Sequence, residues 1–382
     1  MPILPAPRGS SRGARALCAA TLLIAAAPTI APSAQAQNAP SQRAESQRAE
    51  SQRAKQRRAA SPAPTARSRA LATTLANDLL RVANLPGISV AALGDGQVAY
   101  ATGAGYRDLE RKLPVDSSTQ FAAASVSKIV AATAALRLYQ AGRFDPDEAV
   151  ARRFPDFPGG ARINARLLAA HMAGIPHYGP GSMPSNQRYV WASDALGEFS
   201  AAPRVGEPGE RSVYSTHGIT LLTAMMERTE SRPILEILRR EVFEPFDMPS
   251  SGGMFLDSLA PTFATLYERN GVALRPRSRL EFSYSWGGAG LRHTPSDLVR
   301  MARPYFDGTF TACTLQLAFE EQRTRAGTGT GLGFVWRVEH DWRGRALAHH
   351  AGVNRGTRTV LLLRRDQKQA VASWLTERGI PA

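Results

Sequence analysis

Apolar residues recur along this chain in two rhythms, which divide it into strand-forming ends and a helical middle. Within residues 71–83, Leu75, Leu79, Leu80 and Val82 fall at helical spacing, which predicts an amphipathic helix. Residues 88–93 and 98–102 are short apolar runs on either side of Gly94-Asp95-Gly96. Those residue types suit the positive φ of a tight hairpin turn. A second pair of runs, 358–363 and 369–374, flanks Arg364-Arg365-Asp366 and predicts another hairpin. Residues 126–250 read as helices and loops. Strands at both ends must share one sheet, because each buries a single face and needs the other's edge. The predicted fold is α/β in the α+β sense. An antiparallel sheet is built from both chain ends and flanked by helices, with a mostly helical insertion lobe over about residues 131–275. A cleft between the two lobes is the natural place for a site.

Before the first helix, the chain changes character twice. Arg8, Arg12 and Arg15 precede a short apolar stretch over residues 17–30, and Ala34-Gln35-Ala36 follows. This is the layout of a secretory signal peptide over residues 1–36, cleaved after Ala36. The stretch is too short, and too interrupted by Pro28 and Pro32, to span a bilayer. The mature protein is therefore expected to be secreted or periplasmic. Residues 37–70 then repeat Ser-Gln-Arg-Ala-Glu from Ser41 and Ser46, and once more from Ser51 with Lys55 in place of Glu. Such a polar, apolar-poor segment predicts a disordered or transiently helical linker. It carries eight cationic residues against two acidic ones, a large part of the formal charge of +15. That charge suits weak contact with an anionic envelope surface; a solvated spacer explains it equally well. Nucleic acid is not an expected partner, since no basic-aromatic pattern is present. Only Cys313 remains once Cys18 leaves with the signal, so an internal disulfide is excluded. The seven histidines show no metal-ligand spacing with acidic residues, and no metal or other cofactor is implied.

The folded part holds one pairing with chemistry in it. Residues 121–141 form an apolar run ending at Gly142, with Ile129, Val130, Leu136 and Leu138 covering several faces. A helix apolar nearly all round is a core helix. Ser125 and Lys128 stand three apart at its start and so share one face. The free amides of a helix beginning can help to hold an oxyanion. The positive helix end and burial both lower a lysine pKa, which lets the amine act as a base. Of the 47 cationic residues only Lys55, Lys112, Lys128 and Lys368 are lysine. A chain that writes nearly every positive charge as arginine keeps lysine beside Ser125, and only lysine can give up its proton. The duller alternative is a helix-start lysine whose stem covers apolar surface.

The run FAAASVSKIVAATAALRLYQAGRFDPD from Phe121 resembles the nucleophile helix of the serine β-lactamase and penicillin-binding superfamily, within its class C and esterase branch. INARLLAAHMAGIP from Ile163 resembles the following segment of that branch, with Ala173 where serine is usual. Pro208-Gly209 with Tyr214-Ser215-Thr216 resembles the second motif. Trp286-Gly287-Gly288-Ala289-Gly290-Leu291, Gly331-Leu332-Gly333-Phe334 and His350-Ala351-Gly352 complete the series in family order. The resemblance implies a β-lactamase/transpeptidase-like domain over residues 71–382. It implies Ser125 as a nucleophile that forms an acyl-enzyme, with Lys128 and Tyr214 removing its proton. For tyrosine to serve as a base, a cation must lower its pKa, and Lys128 is the expected one. Gly352 and the Val353 amide are implied as the substrate-facing edge and second oxyanion donor. His171 is expected to fix a loop by hydrogen bonding, and His349 to face away from the site.

Two departures bear on the substrate. Thr216 stands where many members have an asparagine that binds the substrate amide. His350 stands where many have lysine, and a histidine is mostly neutral near pH 7. The first leaves the preference for an amide open, and the second weakens attraction for a substrate carboxylate, although Arg355 or Arg358 could restore the charge. Tyr-Ser-Thr with His-x-Gly is similar to mitochondrial β-lactamase-like peptidases and to several esterases. The family's usual final helix has no counterpart here, so an apolar sheet face is expected to be covered by the N-terminal segment or a partner. The reading is an exported serine hydrolase cleaving an ester or amide of a small-molecule or peptide substrate. The rivals are a D-Ala-D-Ala carboxypeptidase or β-lactamase, and a penicillin-binding sensor or scaffold without turnover.

Overall fold

The computed structural model describes residues 65–179, 187–270, 273–277, 281–354 and 356–376. The signal peptide, its cleavage site, most of the basic repeat and Arg355 lie outside the described residues. Helix α1 (Ala66–Ala83) starts within the stretch expected to be linker, because the Thr65 hydroxyl caps it by accepting from the Ser68 amide. It buries Ala76, at 4% exposure, while Leu75, Leu79 and Val82 stay 55%, 46% and 74% exposed. The predicted apolar stripe is therefore real as a pattern but turned largely toward solvent. The helix sits on the sheet through the neighbouring row of smaller side chains.

Strands β1 (Gly87–Gly94) and β2 (Gln97–Asp108) form the first predicted hairpin, with Asp95 and Gly96 both at positive φ in its turn. Two short strands follow, β3 (Leu113–Pro114) and β4 (Phe121–Ala122), then the core helix α2 (Ser127–Gln140). The insertion carries α3 (Ala165–Ala169), α4 (Thr216–Glu230), α5 (Ile234–Leu238), β5 (Gly252–Gly253), and a small hairpin of β6 (Tyr267–Asn270) and β7 (Ala273–Pro276). After it come α6 (Trp286–Ala289), β8 (Leu291–His293), α7 (Pro295–Met301), which packs on the main sheet, and α8 (Ala312–Phe319). Strands β9 (Arg337–His340), β10 (Ala346–Asn354), β11 (Thr357–Arg364) and β12 (Gln369–Thr376) end the described chain.

The main sheet runs β3-β2-β1-β12-β11-β10-β9, and its pairs are antiparallel. First and last strands meet at its centre, as the two-ended hydrophobic pattern requires. The Gly87 amide donates to Thr376 Oγ1 at 2.7 Å, and that hydroxyl donates back to the Gly87 carbonyl at 3.0 Å. Side chains alternate across the sheet. Ser89, Ala91 and Leu93 face inward with Leu361, Leu363, Ala372 and Trp374. Tyr100, opposite Ala92, faces outward and meets Thr73 of α1 at 2.9 Å.

One buried carboxyl ties the insertion together. Glu227, 1% exposed on α4, accepts the amides of Ala192 and Ser193 at the head of a 3-10 helix, and that of Ile234 at the head of α5. Burial outweighs these amides and pushes the carboxyl up to about 7. An acid whose folded pKa lies above its unfolded value stabilises most below that unfolded value and loses the contribution as pH rises through the folded one. Glu227→Gln should therefore flatten the fall in stability between pH 5 and 8, a change worth roughly 3 kcal/mol across the shift. Thermal melting of both proteins across that range measures it, and parallel curves would show that this carboxyl does not titrate there.

Candidate active site

The sheet's inner face holds the turn that carries Ser125. Trp374 Nε1 donates to the Ala122 carbonyl at 3.0 Å, and Thr359 Oγ1 donates to that of Ala123 at 2.9 Å. The chain then turns through Ala124, whose φ of 46° is a left-handed value that a side chain disfavours. A 3-10 turn (Ala124–Val126) leads into α2, so Ser125 sits on the turn and Lys128 on the helix. From residue 121 to 136, Ser125 alone is not fully buried. The local strain and the two sheet contacts expose one hydroxyl at the head of an otherwise buried helix.

Lys128 is completely buried. Its Nζ lies 3.0 Å from Ser125 Oγ, 3.0 Å from Thr216 Oγ1 and 2.7 Å from the Gly288 carbonyl. No carboxylate appears among these contacts. Burial pushes the amine well below its ordinary pKa, so the neutral form is favoured. A neutral amine has two N–H donors and one lone pair. The Gly288 carbonyl can only accept, and Thr216 Oγ1 can take the second N–H. The lone pair is left for the Ser125 O–H, which is the arrangement of a base poised on a nucleophile.

Tyr214 comes from the segment leading into α4, where Ser215 Oγ caps the helix by accepting from the Gly218 amide at 2.9 Å. The Tyr214 hydroxyl donates to Ser125 Oγ at 2.6 Å, and the Lys128 amine stands 4.9 Å from its ring centre. Its pKa departs from the sequence expectation. Burial raises the phenol, against the lowering effects of Ser125, Thr216 and the charge of Arg337. Lys128, the cation expected to lower it, is not among the groups that do so. The phenol therefore stays protonated, and the lysine is the group with base character.

The other implied residues gather around this trio. Thr216 contacts Lys128 directly, a role different from the amide binding its position implied. His350 is buried, with its ring centre 6.5 Å from that of Tyr214 and its Nδ1 2.8 Å from the Ala351 carbonyl. Burial drives it down to about 3, so it is more firmly neutral than its type suggests. Strand β9 pairs with β10 only as far as His349, which leaves residues 350–354 as an open edge over the site. Gly352 brings that edge close: a Cβ there would lie 2.9 Å from the Ser125 amide and 2.6 Å from the Ala123 carbonyl. Val353 is exposed on the same edge. His349 faces away and meets Glu339 at 3.1 Å. Arg358 lies on β11 opposite Val353.

Sequence reasoning missed the Gly288 carbonyl and His177. The first is a main-chain group that no residue letter advertises. The second follows a matched motif directly, yet its contact is to a backbone amide, which leaves no spacing to read.

The family model described as Beta-lactamase matches residues 72–380. The chain belongs to the Beta-lactamase family. Within that family it is 25% identical over 320 residues to the human serine beta-lactamase-like protein LACTB, mitochondrial, covering 64% of this chain and 58% of that protein. The chain thus spans less than two thirds of the length of this mitochondrial relative. Esterase EstB of Burkholderia gladioli is 27% identical over 346 residues, covering 77% of this chain and 87% of the esterase. Among solved structures, the D-amino acid amidase of Ochrobactrum anthropi SV3 superposes with a TM-score of 0.69 at 22% identity, covering 80% of this chain and 91% of the amidase. That likeness shows the fold of this Beta-lactamase family chain.

Proposed function

We propose that this protein is an exported serine hydrolase that cleaves an ester or amide bond through an acyl-enzyme on Ser125. One observation carries the proposal: Ser125 Oγ lies 3.0 Å from the buried Lys128 amine and 2.6 Å from the Tyr214 hydroxyl. As Oγ bonds to the substrate carbonyl carbon, its proton passes to Lys128 Nζ. The oxyanion that forms would be held by the Ser125 and Val353 amides. Tyr214 is placed to give its proton to the leaving group as the carbonyl–leaving group bond breaks, and the ammonium of Lys128 restores the phenol. Water then repeats the sequence on the acyl-enzyme. The neutral His350 and the esterase relative favour a substrate whose recognition does not depend on a carboxylate. Export rests on the signal-like residues 1–36, and the basic tail would keep the mature protein near an anionic envelope surface.

The test pairs wild type with Ser125→Ala against a fluorophosphonate and a fluorescent penicillin, followed by turnover assays. Fluorophosphonate should label wild type only, and a short-chain aryl ester should turn over faster than a chromogenic cephalosporin or a D-Ala-D-Ala peptide. Undiminished labelling of Ser125→Ala would place the nucleophile elsewhere. Fast cephalosporin loss would make the protein a β-lactamase, and labelling without turnover would make it a sensor.

A further inference from the structure

Two consecutive amides at the head of α4 are held by histidine rings. The Ser215 amide donates to His171 Nδ1 at 3.3 Å, and the Thr216 amide donates to His177 Nδ1 at 3.2 Å. The His171 carbonyl also accepts from the Val213 amide at 2.9 Å, so this histidine grips the chain on both sides of Tyr214. The two rings flank the tyrosine ring, with centres 4.6 and 5.3 Å from it. His171 holds a left-handed φ of 56° to make these contacts. The first amides of a helix have no partner within it and must find one outside. Here they find imidazoles. Thr216, held in this way, carries a hydroxyl that reaches Lys128, and Ser215 directly follows Tyr214, whose hydroxyl reaches Ser125.

We propose that His177, with His171, is a positioning residue whose ring Nδ1 serves as a substitute carbonyl, fixing the main chain that aims Tyr214 at Ser125 and Thr216 at Lys128. This rests on the acyl-enzyme reading of Ser125. An imidazole nitrogen accepts a hydrogen bond only when unprotonated, so both rings must be neutral with the proton on Nε2. Burial supports that state, pushing His171 well below its ordinary pKa and His177 down to about 4. His177 lies nearer the rim than His171, but its ring also meets those of Tyr178 and Tyr214, so the hydrogen bond is isolated by comparing substitutions that restore it with ones that do not.

Asparagine places Oδ1 where histidine has Nδ1, whereas glutamine sets its amide one carbon further out. His177→Ala and His177→Gln should each lower kcat for the aryl ester about tenfold with KM within twofold, the scale of one lost hydrogen bond to a group that must be held. His177→Asn should return kcat to within threefold of wild type. Equal rates in all three variants, whether high or low, would overturn the positioning role. A readout independent of turnover separates this from failure of the acyl-enzyme reading. Long-range 1H–15N spectra of histidine-labelled protein at pH 7 should show both rings as Nε2–H tautomers. An imidazolium or Nδ1–H form at His177 overturns the proposal even in an active enzyme. Absent fluorophosphonate labelling of wild type overturns the function beneath it and the positioning role with it.

Discussion

Lys128→Arg should slow acylation of Ser125 by on the order of a thousandfold, the scale of a lost general base, although it conserves formal charge. The fully buried Nζ has a carbonyl, a threonine hydroxyl and the serine hydroxyl around it, and no carboxylate among its contacts with the described residues. Arginine does not lose its proton in a protein, so it cannot take one from Ser125, and its fork overfills a space shaped for one nitrogen. Lys128→Met removes the base without the overfilling. Both variants should lose fluorophosphonate labelling while far-ultraviolet circular dichroism reports a folded chain. In wild type, the labelling rate should rise with pH through the Lys128 pKa, which burial lowers. The active form is the neutral amine, so activity is lost below that pKa and already present at pH values where an ordinary lysine is charged. A folded Lys128→Met protein that labels at the wild-type rate would show that another group removes the proton.

Gly352→Ala should cost about 1–3 kcal/mol of stability, as overfilling a packed site does, and slow acylation roughly a hundredfold through misplacement of the nucleophile. The new methyl would stand 2.3 Å from Thr359 Oγ1, 2.6 Å from the Ala123 carbonyl and 2.9 Å from the Ser125 amide. Two of these three are main chain, so no rotamer change relieves them. The Thr359 hydroxyl could move only by giving up the Ala123 carbonyl, which it holds at 2.9 Å. Relief must come from the gap between β10 and the Ser125 turn, where the oxyanion is expected to sit. Gly197→Ala is the control, since a Cβ there would meet nothing within 4 Å. Thermal melting and labelling rates of the two variants give the comparison. A Gly352→Ala protein with the wild-type labelling rate would remove this edge from the site.

The parts of the structure that were legible share a property: their cause is local. The strand pairs around Gly94-Asp95-Gly96 and Arg364-Arg365-Asp366 follow from two-residue alternation and turn chemistry. Ser125 and Lys128 share a helix start because three residues make nearly one turn, and the apolar residues after them commit that helix to the core. The parts that were misread depend on what lies across a gap. Leu75 and Leu79 make a convincing apolar stripe, yet Ala76 is the buried residue, because the sheet presents a surface that α1 approaches on its small side chains. The same chain letters, Tyr214 beside Lys128, suggested a phenol made acidic by a cation. Burial instead pushes the amine pKa down and the phenol pKa up, so the amine is the group with base character.

By itself, then, the sequence determined an antiparallel sheet closed by both chain ends, a buried helix opening on a serine and a lysine, and the family to which these belong. Periodicity and short spacing act through the first few turns of backbone and need no partner. Only the tertiary structure decided which further groups complete the site: the Gly288 carbonyl, the His177 acceptor and how closely Gly352 approaches the Ser125 turn. Each of these contacts has a main-chain group as at least one partner and joins segments far apart in the chain. Any residue brings a carbonyl or an amide to such a contact, so its identity is fixed by packing and leaves no mark in the order of side chains.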